Sequence, residues 1–263
     1  MHVDQGKLKA YVRHGHHIVK GWLVPGAAEA IISLSEEQRR LGVPGGMAEI
    51  GVHHGKLFIL LYLLGSENEP AVAIDIFSKQ RLNVDHSGAG DLATFRRNLR
   101  RHADSERLTI HEGDSTELTS AQLLELGRGR FRTISIDGGH TAEITEHDLA
   151  TSEEALAPSG ILVLDDCFNE MWPGVVEGVH RYFSQPRAIV PFGIGANKTF
   201  FCHREFAQQY ALVLKKMNGR IAEQQFLGRP VVCFEYASGW YRKADPWRGL
   251  RRGYHGVLSR LTR

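Results

Sequence analysis

The stretch Met47-Ala-Glu-Ile-Gly-Val-His-His-Gly-Lys56 decides the fold, because it joins an apolar run to a glycine-rich turn and then to the apolar segment 57–64. This order predicts a first strand, a tight turn and the start of a helix. Gly51 and Gly55 can adopt backbone angles that other residues avoid, so a ligand can approach the main chain closely. The following helix start offers unpaired N–H groups to such a ligand. The stretch therefore predicts a nucleotide-type pocket.

The rest of the chain alternates short apolar runs with longer amphipathic ones, which is typical of a parallel sheet covered by helices. Seven strands are predicted, at 47–51, 71–76, 108–111, 132–136, 160–164, 187–191 and 198–203. Helices are predicted at 27–41, 56–64, 90–102, 118–127, 141–157, 172–183 and 205–217, with an additional strand at 230–236. The pattern indicates an α/β fold with a doubly wound sheet and helices on both faces.

Composition excludes several classes of protein. The 263 residues are 42% hydrophobic and 24% charged, as in an ordinary globular protein, and the formal net charge is only +2. We therefore expect no nucleic-acid partner and no membrane partner, since no apolar run reaches the length of a membrane span. The three cysteines are not spaced as a disulfide framework or a zinc site, and no signal peptide is recognisable, which favours a cytoplasmic setting.

The pattern divides the chain into three parts. Residues 1–44 form an arm and a helix, which we interpret as a flap over the substrate, and residues 45–204 form the core. Residues 205–263 form an extension that ends in a basic, aromatic tail. Its residues 240–263 hold seven lysines and arginines against one acidic residue. Packing on a neighbouring subunit, contact with nucleic acid and simple solvation are all open interpretations of this tail.

Polar residues end the second and third predicted strands. Asp75 lies where a doubly wound sheet faces the crevice beside the glycine-rich turn, so its carboxylate can accept both ribose hydroxyl protons. The alternative is that it caps a helix or a turn. Asp114 and Ser115 follow the third strand and are candidates for contact with an adenine ring. Gly113-Asp-Ser-Thr116 is also good turn and cap chemistry, so a structural role remains open there.

Three carboxylates follow the fourth and fifth predicted strands, which are apolar and adjacent. Asp137 follows the fourth strand, and the pair Asp165 and Asp166 follows the fifth. Acids crowded in one cleft repel each other unless a cation lies among them. Hard oxygen ligands suit magnesium, or manganese or calcium, better than zinc. Because adjacent strand residues point to opposite faces, Asp166 must already lie in the turn to join Asp165.

His140 lies three residues after Asp137, just before the predicted helix at 141–157. An imidazole with an unperturbed pKa near 6.5 can take a proton from a substrate hydroxyl at this position. The alternative is that His140 caps the helix or supports another residue of the site.

Together these motifs resemble those of class I S-adenosylmethionine (SAM) methyltransferases. The first motif, Glu49-x-Gly51-x-x-x-Gly55, lacks the third glycine of the dinucleotide-binding pattern. In the similar family the glycines approach the methionine part of SAM and the acidic residue shapes the same pocket. The resemblance implies a seven-stranded Rossmann-like sheet whose last strand is antiparallel. The 76–90 segment is similar in position to a mobile loop that closes over SAM or the acceptor.

Asp-Gly-x-His after strand four and an acidic pair after strand five resemble the metal-dependent sugar O-methyltransferases of natural-product pathways. The resemblance covers about residues 45–203. It implies that Asp137, Asp165 and Asp166 hold magnesium, that His140 is the catalytic base, and that the protein forms a homo-oligomer.

The predicted function is therefore O-methylation of a hydroxylated small molecule, first of all a sugar of a glycosylated natural product or glycan. A catechol offers the same pair of oxygens, so an aromatic acceptor is the alternative. A protein of this fold that binds a nucleotide or a partner without methyl transfer, or a Rossmann-type oxidoreductase, is the competing class.

Overall fold

The computed structural model describes residues 3–236, in which nine strands form one sheet with helices on both faces. The predicted basic tail at 240–263 lies outside the described residues. The strands are β1 Gly46–Ile50, β2 Ala71–Asp75, β3 Leu108–Glu112, β4 Phe131–Ile136, β5 Leu156–Asp165, β6 Ile189–Gly195, β7 Lys198–His203, β8 Gly219–Phe226 and β9 Arg229–Tyr236.

Helices occupy the connections. They are α1 Gln5–Ala10, α2 His16–Ile18, α3 Pro25–Arg40, α4 Lys56–Leu64, α5 Leu92–His102, α6 Ser120–Leu126, α7 Ala142–Ala155, α8 Pro173–Tyr182 and α9 Ala207–Leu214. A π-helical turn, Tyr11–Gly15, joins α1 to α2, and 3₁₀ turns lie at Gln80–Leu82, Ser115–Glu117 and Arg204–Phe206. None of the helices among residues 3–236 is both long and apolar enough to cross a membrane.

The strand order is β3-β2-β1-β4-β5-β7-β6-β9-β8. β1 pairs in parallel with both β2 and β4, whereas β7 runs antiparallel between β5 and β6. From β1 the chain winds outward to β2 and β3 and then returns to the other side of β1 as β4. The carboxyl ends of β1 and β4 therefore border the crevice in which doubly wound sheets bind ligands.

The sheet buries both faces of its inner strands, which explains why strands such as β1, β2 and β5 are largely apolar without alternation. Consecutive residues of β1 point to opposite sides, so Met47 joins one core cluster and Ala48 the other. On the Met47 side lies α4, whose residues 57–64 are all buried. The Ala48 side is covered by α6, α7 and α8. Side-chain caps fix helix starts near the crevice: Asp91 accepts from the backbone N of Thr94 at α5, and Thr141 caps α7.

The fold class predicted from the sequence is confirmed, with two differences. The strand predicted at 187–191 runs from Ile189 to Gly195, and the sheet has nine strands in the described residues rather than seven. A hairpin of β8 and β9 extends the sheet, turning through Leu227 and Gly228 with φ of 51° and 67°. The extra strand predicted at 230–236 corresponds to β9. β8 is an exposed, polar edge strand and lacks the apolar signal by which strands are recognised.

Candidate active site

The β1–α4 turn requires glycine for steric reasons. Gly51 has φ of 84°, and a Cβ built on it would lie 1.7 Å from the carbonyl oxygen of Asp137. The turn is held close to Asp137 because the backbone N of Asp137 donates a hydrogen bond to the carbonyl of Ile50, at 2.8 Å. Gly55, with φ of 89°, precedes α4, and a Cβ there would lie 2.7 Å from the Phe95 ring. Other parts of the chain occupy both Cβ positions, so glycine is required at these two positions for the turn to pack against Asp137 and Phe95.

Glu49 lies on β1, directly before this turn. Its side chain is buried, and its Oε2 has no hydrogen-bond partner among the described residues. Burial and the nearby charge of Asp137 raise the pKa of Glu49 well above its usual value. An unpaired buried carboxyl oxygen beside the crevice is a ready partner for a polar group of a bound ligand.

Asp75 ends β2 at the crevice, as predicted. Its Oδ2 accepts from the backbone N of His53 at 2.6 Å, and its Oδ1 accepts from that of Phe77 at 2.5 Å. These bonds fix the carboxylate against the glycine-rich turn, while burial raises its pKa. Each carboxylate oxygen can accept a second hydrogen bond. The turn role considered for Asp75 is therefore present, and it leaves lone pairs free for ribose hydroxyls.

Asp114 and Ser115 lie after β3, on the adjacent part of the crevice rim. Asp114 Oδ1 accepts from the backbone N of Thr116 at 2.9 Å and from its hydroxyl at 2.8 Å, so Asp114 caps the short turn Ser115–Glu117. The structural role considered for this segment is thus present. The predicted contact of Asp114 and Ser115 with adenine stays a prediction.

The carboxyl ends of β4 and β5 bring three ionisable side chains together. One ligand atom each from Asp137, His140 and Asp166 lies within 4.8 Å of the others. Asp165 is the last residue of β5, and Asp166 follows in a left-handed conformation with φ of 59°. This backbone turn brings Asp166 to the same side as Asp165, whose Oδ1 accepts from the backbone N of Asp166 at 3.0 Å.

A lysine that was not among the predicted site residues neutralises part of this acidic cluster. Lys198, the first residue of β7, pairs in register with Asp165, and its buried ammonium contacts Asp165 Oδ2. Although burial disfavours the ammonium, the charges of Asp165 and Asp137 raise the pKa of Lys198 to about 12. Asn197 donates to both Asp165 and Asp166 at 2.8 Å. Asp165 is thus already paired with a cation of the chain itself.

Asp137 and Asp166 differ in electrostatic environment. Burial, and next the charge of Asp165, raise the pKa of Asp137 well above its usual value. Burial also opposes the charge of Asp166, but hydrogen bonds from His140, Asn197 and Asn169 outweigh it and lower the pKa to about 2. The cluster therefore contains one carboxylate that is held ionised and another that resists ionisation unless a cation approaches.

His140 is held between two carboxylates. Its Nδ1 lies 2.8 Å from Asp85 Oδ2, its Nε2 lies 3.3 Å from Asp166 Oδ2, and its ring stacks on Trp172 at 4.2 Å. Burial opposes protonation of the ring, but Asp166 and Asp85 outweigh it and raise the pKa of His140. The cap of α7 is Thr141, so His140 does not cap that helix through its side chain. Each ring nitrogen therefore lies near a carboxylate, and the contact of Nδ1 with Asp85 is the shorter.

The arrangement of the sheet defines the class of protein. An antiparallel seventh strand inserted between the fifth and sixth strands is the arrangement of class I methyltransferases, and this chain has it, with the glycine-rich turn after β1. The chain therefore has the fold of the class I methyltransferases.

Comparison with known proteins agrees with this class. Residues 48–167 match the family model described as a methyltransferase domain. The fold is similar to that of the O-methyltransferase NovP, with 18% identity and a TM-score of 0.56 over 68% of this chain and 80% of NovP.

Apo CalS11, a TDP-rhamnose 3′-O-methyltransferase of calicheamicin biosynthesis, has 19% identity and a TM-score of 0.53 over 74% of this chain and 86% of CalS11. An O-methyltransferase from Bacillus cereus in complex with SAH has 16% identity and a TM-score of 0.50 over 75% of this chain and 90% of its own. At these identities the likeness establishes the fold. No curated protein sequence matches the chain.

Proposed function

We propose that this protein is a SAM-dependent O-methyltransferase that methylates a hydroxyl group of a small molecule. The observation that carries the proposal is the position of His140, which lies between Asp85 and Asp166 at the carboxyl ends of β4 and β5, next to the glycine-rich turn. A base so placed lies at the edge of the pocket in which the fold binds its cofactor.

The cofactor would lie across the ends of β1, β2 and β3. The turn that contains Gly51 and Gly55 is our candidate for the methionine part of SAM, with the unpaired Oε2 of Glu49 as a partner for a polar group. The free lone pairs of Asp75 suit the ribose hydroxyls. Asp114 and Ser115 are our candidates for the adenine end. SAH in the similar B. cereus enzyme and SAM dependence of class I methyltransferases support this choice of cofactor.

The chemistry requires positioning and one proton acceptor. The acceptor oxygen attacks the methyl carbon of the sulfonium in line, so that an O–C bond forms while the S–C bond breaks and SAH leaves. The hydroxyl proton passes to Nε2 of His140, the ring nitrogen that faces the cluster. His140 is the base in this proposal, and Trp172 keeps the plane of its ring fixed by stacking.

The cluster also fits a divalent cation. Asp137 and Asp166 offer oxygen ligands, and the raised pKa of Asp137 indicates a position at which added positive charge is favourable. When bound, magnesium would act as a Lewis acid that acidifies the acceptor hydroxyl. We retain the predicted set of Asp137, Asp165 and Asp166, with Asp165 as its weakest member because Lys198 already pairs with it.

For the acceptor, we propose a hydroxyl of a sugar carried by a natural product or glycan. CalS11, which shares the fold, is a TDP-rhamnose 3′-O-methyltransferase. A vicinal diol presents two oxygens to one cation, and so does a catechol, which remains the alternative acceptor within the same chemistry. A cytoplasmic location and a homo-oligomeric state are part of the same proposal.

Calorimetric titration tests the cofactor and the metal separately. Metal-stripped protein should bind SAM but not NADH, and the SAM complex should then bind magnesium. Asp166→Asn should weaken magnesium binding at least tenfold, Asp165→Asn should weaken it less, and Glu143→Gln, a change at an exposed ion pair, should leave it unchanged. Failure of SAM to bind would overturn the proposal, whereas SAM binding without magnesium binding would overturn only the metal site.

Turnover then tests the acceptor. Methyl transfer from SAM should be detected with hydroxylated acceptors, and replacement of His140 by glutamine should lower kcat by a factor of about 100 or more. Comparison of glycosides bearing vicinal diols with catechols distinguishes the two acceptor classes. SAM binding with no methyl transfer to either class would favour a non-catalytic protein of this fold.

A further inference from the structure

Asp85 reaches the site from a segment that carries none of the predicted site residues. It lies in the β2–α5 loop, residues 76–91, and is 55 positions before His140 in sequence. Its Oδ2 accepts from the backbone N of His140 at 2.6 Å and lies 2.8 Å from Nδ1 of the same residue. Its Oδ1 accepts from the backbone N of Ser87 at 2.9 Å. One carboxylate therefore holds both the backbone and the ring of His140.

The environment keeps Asp85 ionised. Although burial opposes the charge, hydrogen bonds from Ser87 and His140 lower the pKa of Asp85 to about 2. An ionised carboxylate can only accept hydrogen bonds, so Nδ1 of His140 must carry a hydrogen. Asp166 also faces the ring, but its Oδ2 lies 3.3 Å from Nε2, whereas Asp85 Oδ2 lies 2.8 Å from Nδ1. In the neutral imidazole the shorter contact keeps the hydrogen on Nδ1 and leaves the lone pair on Nε2. Only 11% of the Asp85 side chain and 10% of the His140 side chain are exposed, so water competes little for the contact.

The same loop covers the cofactor pocket. It is fastened at its start by Phe77, which is fully buried, stacks on Phe95 and donates its backbone N to Asp75. A Cβ on Gly90 would lie 2.9 Å from Asp75 Oδ1, and one on Gly88 would lie 3.6 Å from the His53 ring. The loop thus passes over the candidate ribose-binding residue and the glycine-rich turn.

We propose that Asp85 is the positioning residue for His140, which it holds from the β2–α5 loop with the hydrogen on Nδ1 and the lone pair on Nε2. Asp85 acts through His140 and contacts no reacting atom. This inference rests on the proposed function, in which His140 is the base.

Replacement of Asp85 by asparagine tests the inference. With its NH₂ group at the position of Oδ2, the amide donates to Nδ1 and thereby favours the wrong tautomer of His140. The size of the side chain is preserved, and the hydrogen bond from the backbone N of His140 is lost. We expect kcat to fall by a factor of about 100 or more, with KM for SAM and the dissociation constant of SAH changed by less than about threefold. Asp85→Glu, which retains the charge, should recover part of the loss.

Asn83→Ala is the matched control. It removes the 2.9 Å hydrogen bond from the Asn83 side chain to the carbonyl of Gly88, which lies within the same loop, and leaves the contact of Asp85 with His140 intact. If Asp85 merely held the loop in shape, the two substitutions would affect kcat and SAH binding alike, and the inference would be wrong.

A spectroscopic measurement keeps the inference testable without turnover. In ¹⁵N-histidine-labelled protein bound to SAH, at a pH at which the ring is neutral, His140 should show the Nδ1–H tautomer. The signal is assigned by its loss in His140→Gln. Asp85→Asn should shift it toward the Nε2–H tautomer, and an unchanged tautomer would overturn the inference. If the wild type binds SAH but methylates no acceptor, the proposed function fails, and this measurement still decides the role of Asp85.

Discussion

Gly51 cannot be replaced by a residue with a side chain without strain, because the carbonyl oxygen of Asp137 occupies the position of a Cβ. Gly51→Ala combines a left-handed backbone angle with a contact of 1.7 Å to a backbone atom that cannot rotate away. We expect the free energy of unfolding to fall by about 3 kcal/mol or more, the sum of backbone strain and overpacking. Urea denaturation measures the loss, and destabilisation should be accompanied by loss of SAM binding.

Gly42→Ala provides the control for Gly51→Ala. Gly42 also has a positive φ, 67°, but a Cβ there would meet nothing within 4 Å. Only the backbone strain applies, so the loss should be about 1–2 kcal/mol. Equal losses in the two variants would mean that the close approach of β1 to Asp137 does not matter for stability.

Among the elements, β4 is tied to α3 and α4 by a buried arginine. Arg132 is completely buried, and its guanidinium donates to Glu69, to Ser35 and Gln38 on α3, and to the carbonyl of Leu64. The Nε of Arg132 lies 3.1 Å from Glu69 Oε1. This network anchors the strand that ends at Asp137 and so supports the geometry of the candidate active site.

Removal of Glu69, the anion in this network, should lower the free energy of unfolding. Glu69→Ala leaves a buried guanidinium without its counter-charge, and we expect a loss of about 3–5 kcal/mol in the free energy of unfolding. Glu143→Ala is the control, because both members of its ion pair with Arg181 are exposed and its loss should leave the free energy of unfolding nearly unchanged. Urea denaturation of both variants provides the comparison. A small loss in Glu69→Ala would show that Ser35, Gln38 and the Leu64 carbonyl satisfy Arg132 without the ion pair.

The elements that could be predicted from the sequence are those with a local signal. The apolar strands and the polar residues at their carboxyl ends predicted that Asp137 and Asp166 lie at the same edge of the sheet. β8 has no such signal, because an edge strand exposed to water can be polar. Asp85 reaches the site from the β2–α5 loop, and Lys198 reaches it through the register of β7 with β5. Both contacts depend on parts of the chain that are distant in sequence. A lysine opening an otherwise apolar strand was the available signal for Lys198.

The charges of the site could likewise be predicted only in part from the sequence. Three acids in one cleft do require a cation, and the sequence indicated a metal ion for that reason. In the fold, the first cation is the ammonium of Lys198, held by Asp165. Asp137 and Asp166 remain as the pair for which an external cation has a role. Asp165 and Asp166 are therefore expected to differ in their effect on magnesium binding.

At the scale of the whole molecule, the amino-terminal arm, residues 3–24, packs on the start of α4. The hydroxyl of Tyr11 donates to the carbonyl of Lys56 at 2.6 Å, and the ammonium of Lys56 donates to the carbonyl of Gly21 at 3.0 Å. Trp22 lies against His53 of the glycine-rich turn, with ring centroids 5.5 Å apart. The arm therefore contacts the glycine-rich turn, and its predicted role as a flap over the substrate stays a prediction.

Histidines at the contact between the arm and the start of α4 make the stability of that contact depend on pH. Burial lowers the pKa of His16 and of His53 to about 4, and the positive charges of His54 and Lys20 act in the same direction on His53. An unfolded or detached segment has a histidine pKa near 6.5. Between pH 6.5 and about 4 the detached state binds more protons, so acidification through this window favours detachment of the arm, and stability returns as the pH rises.

Hydrogen exchange as a function of pH tests this coupling. After correction for intrinsic exchange rates, amides of the arm and of the first turn of α4 should lose protection as the pH falls from 6.5 to 4, before those of α7. His53→Asn removes one of the proton acceptors at this contact, so its arm should lose protection less steeply. Equal slopes in both proteins would exclude His53 as a cause, and an arm whose protection is independent of pH would contradict the coupling altogether. Because the arm contacts the glycine-rich turn through Trp22 and His53, SAM binding should weaken over the same pH window.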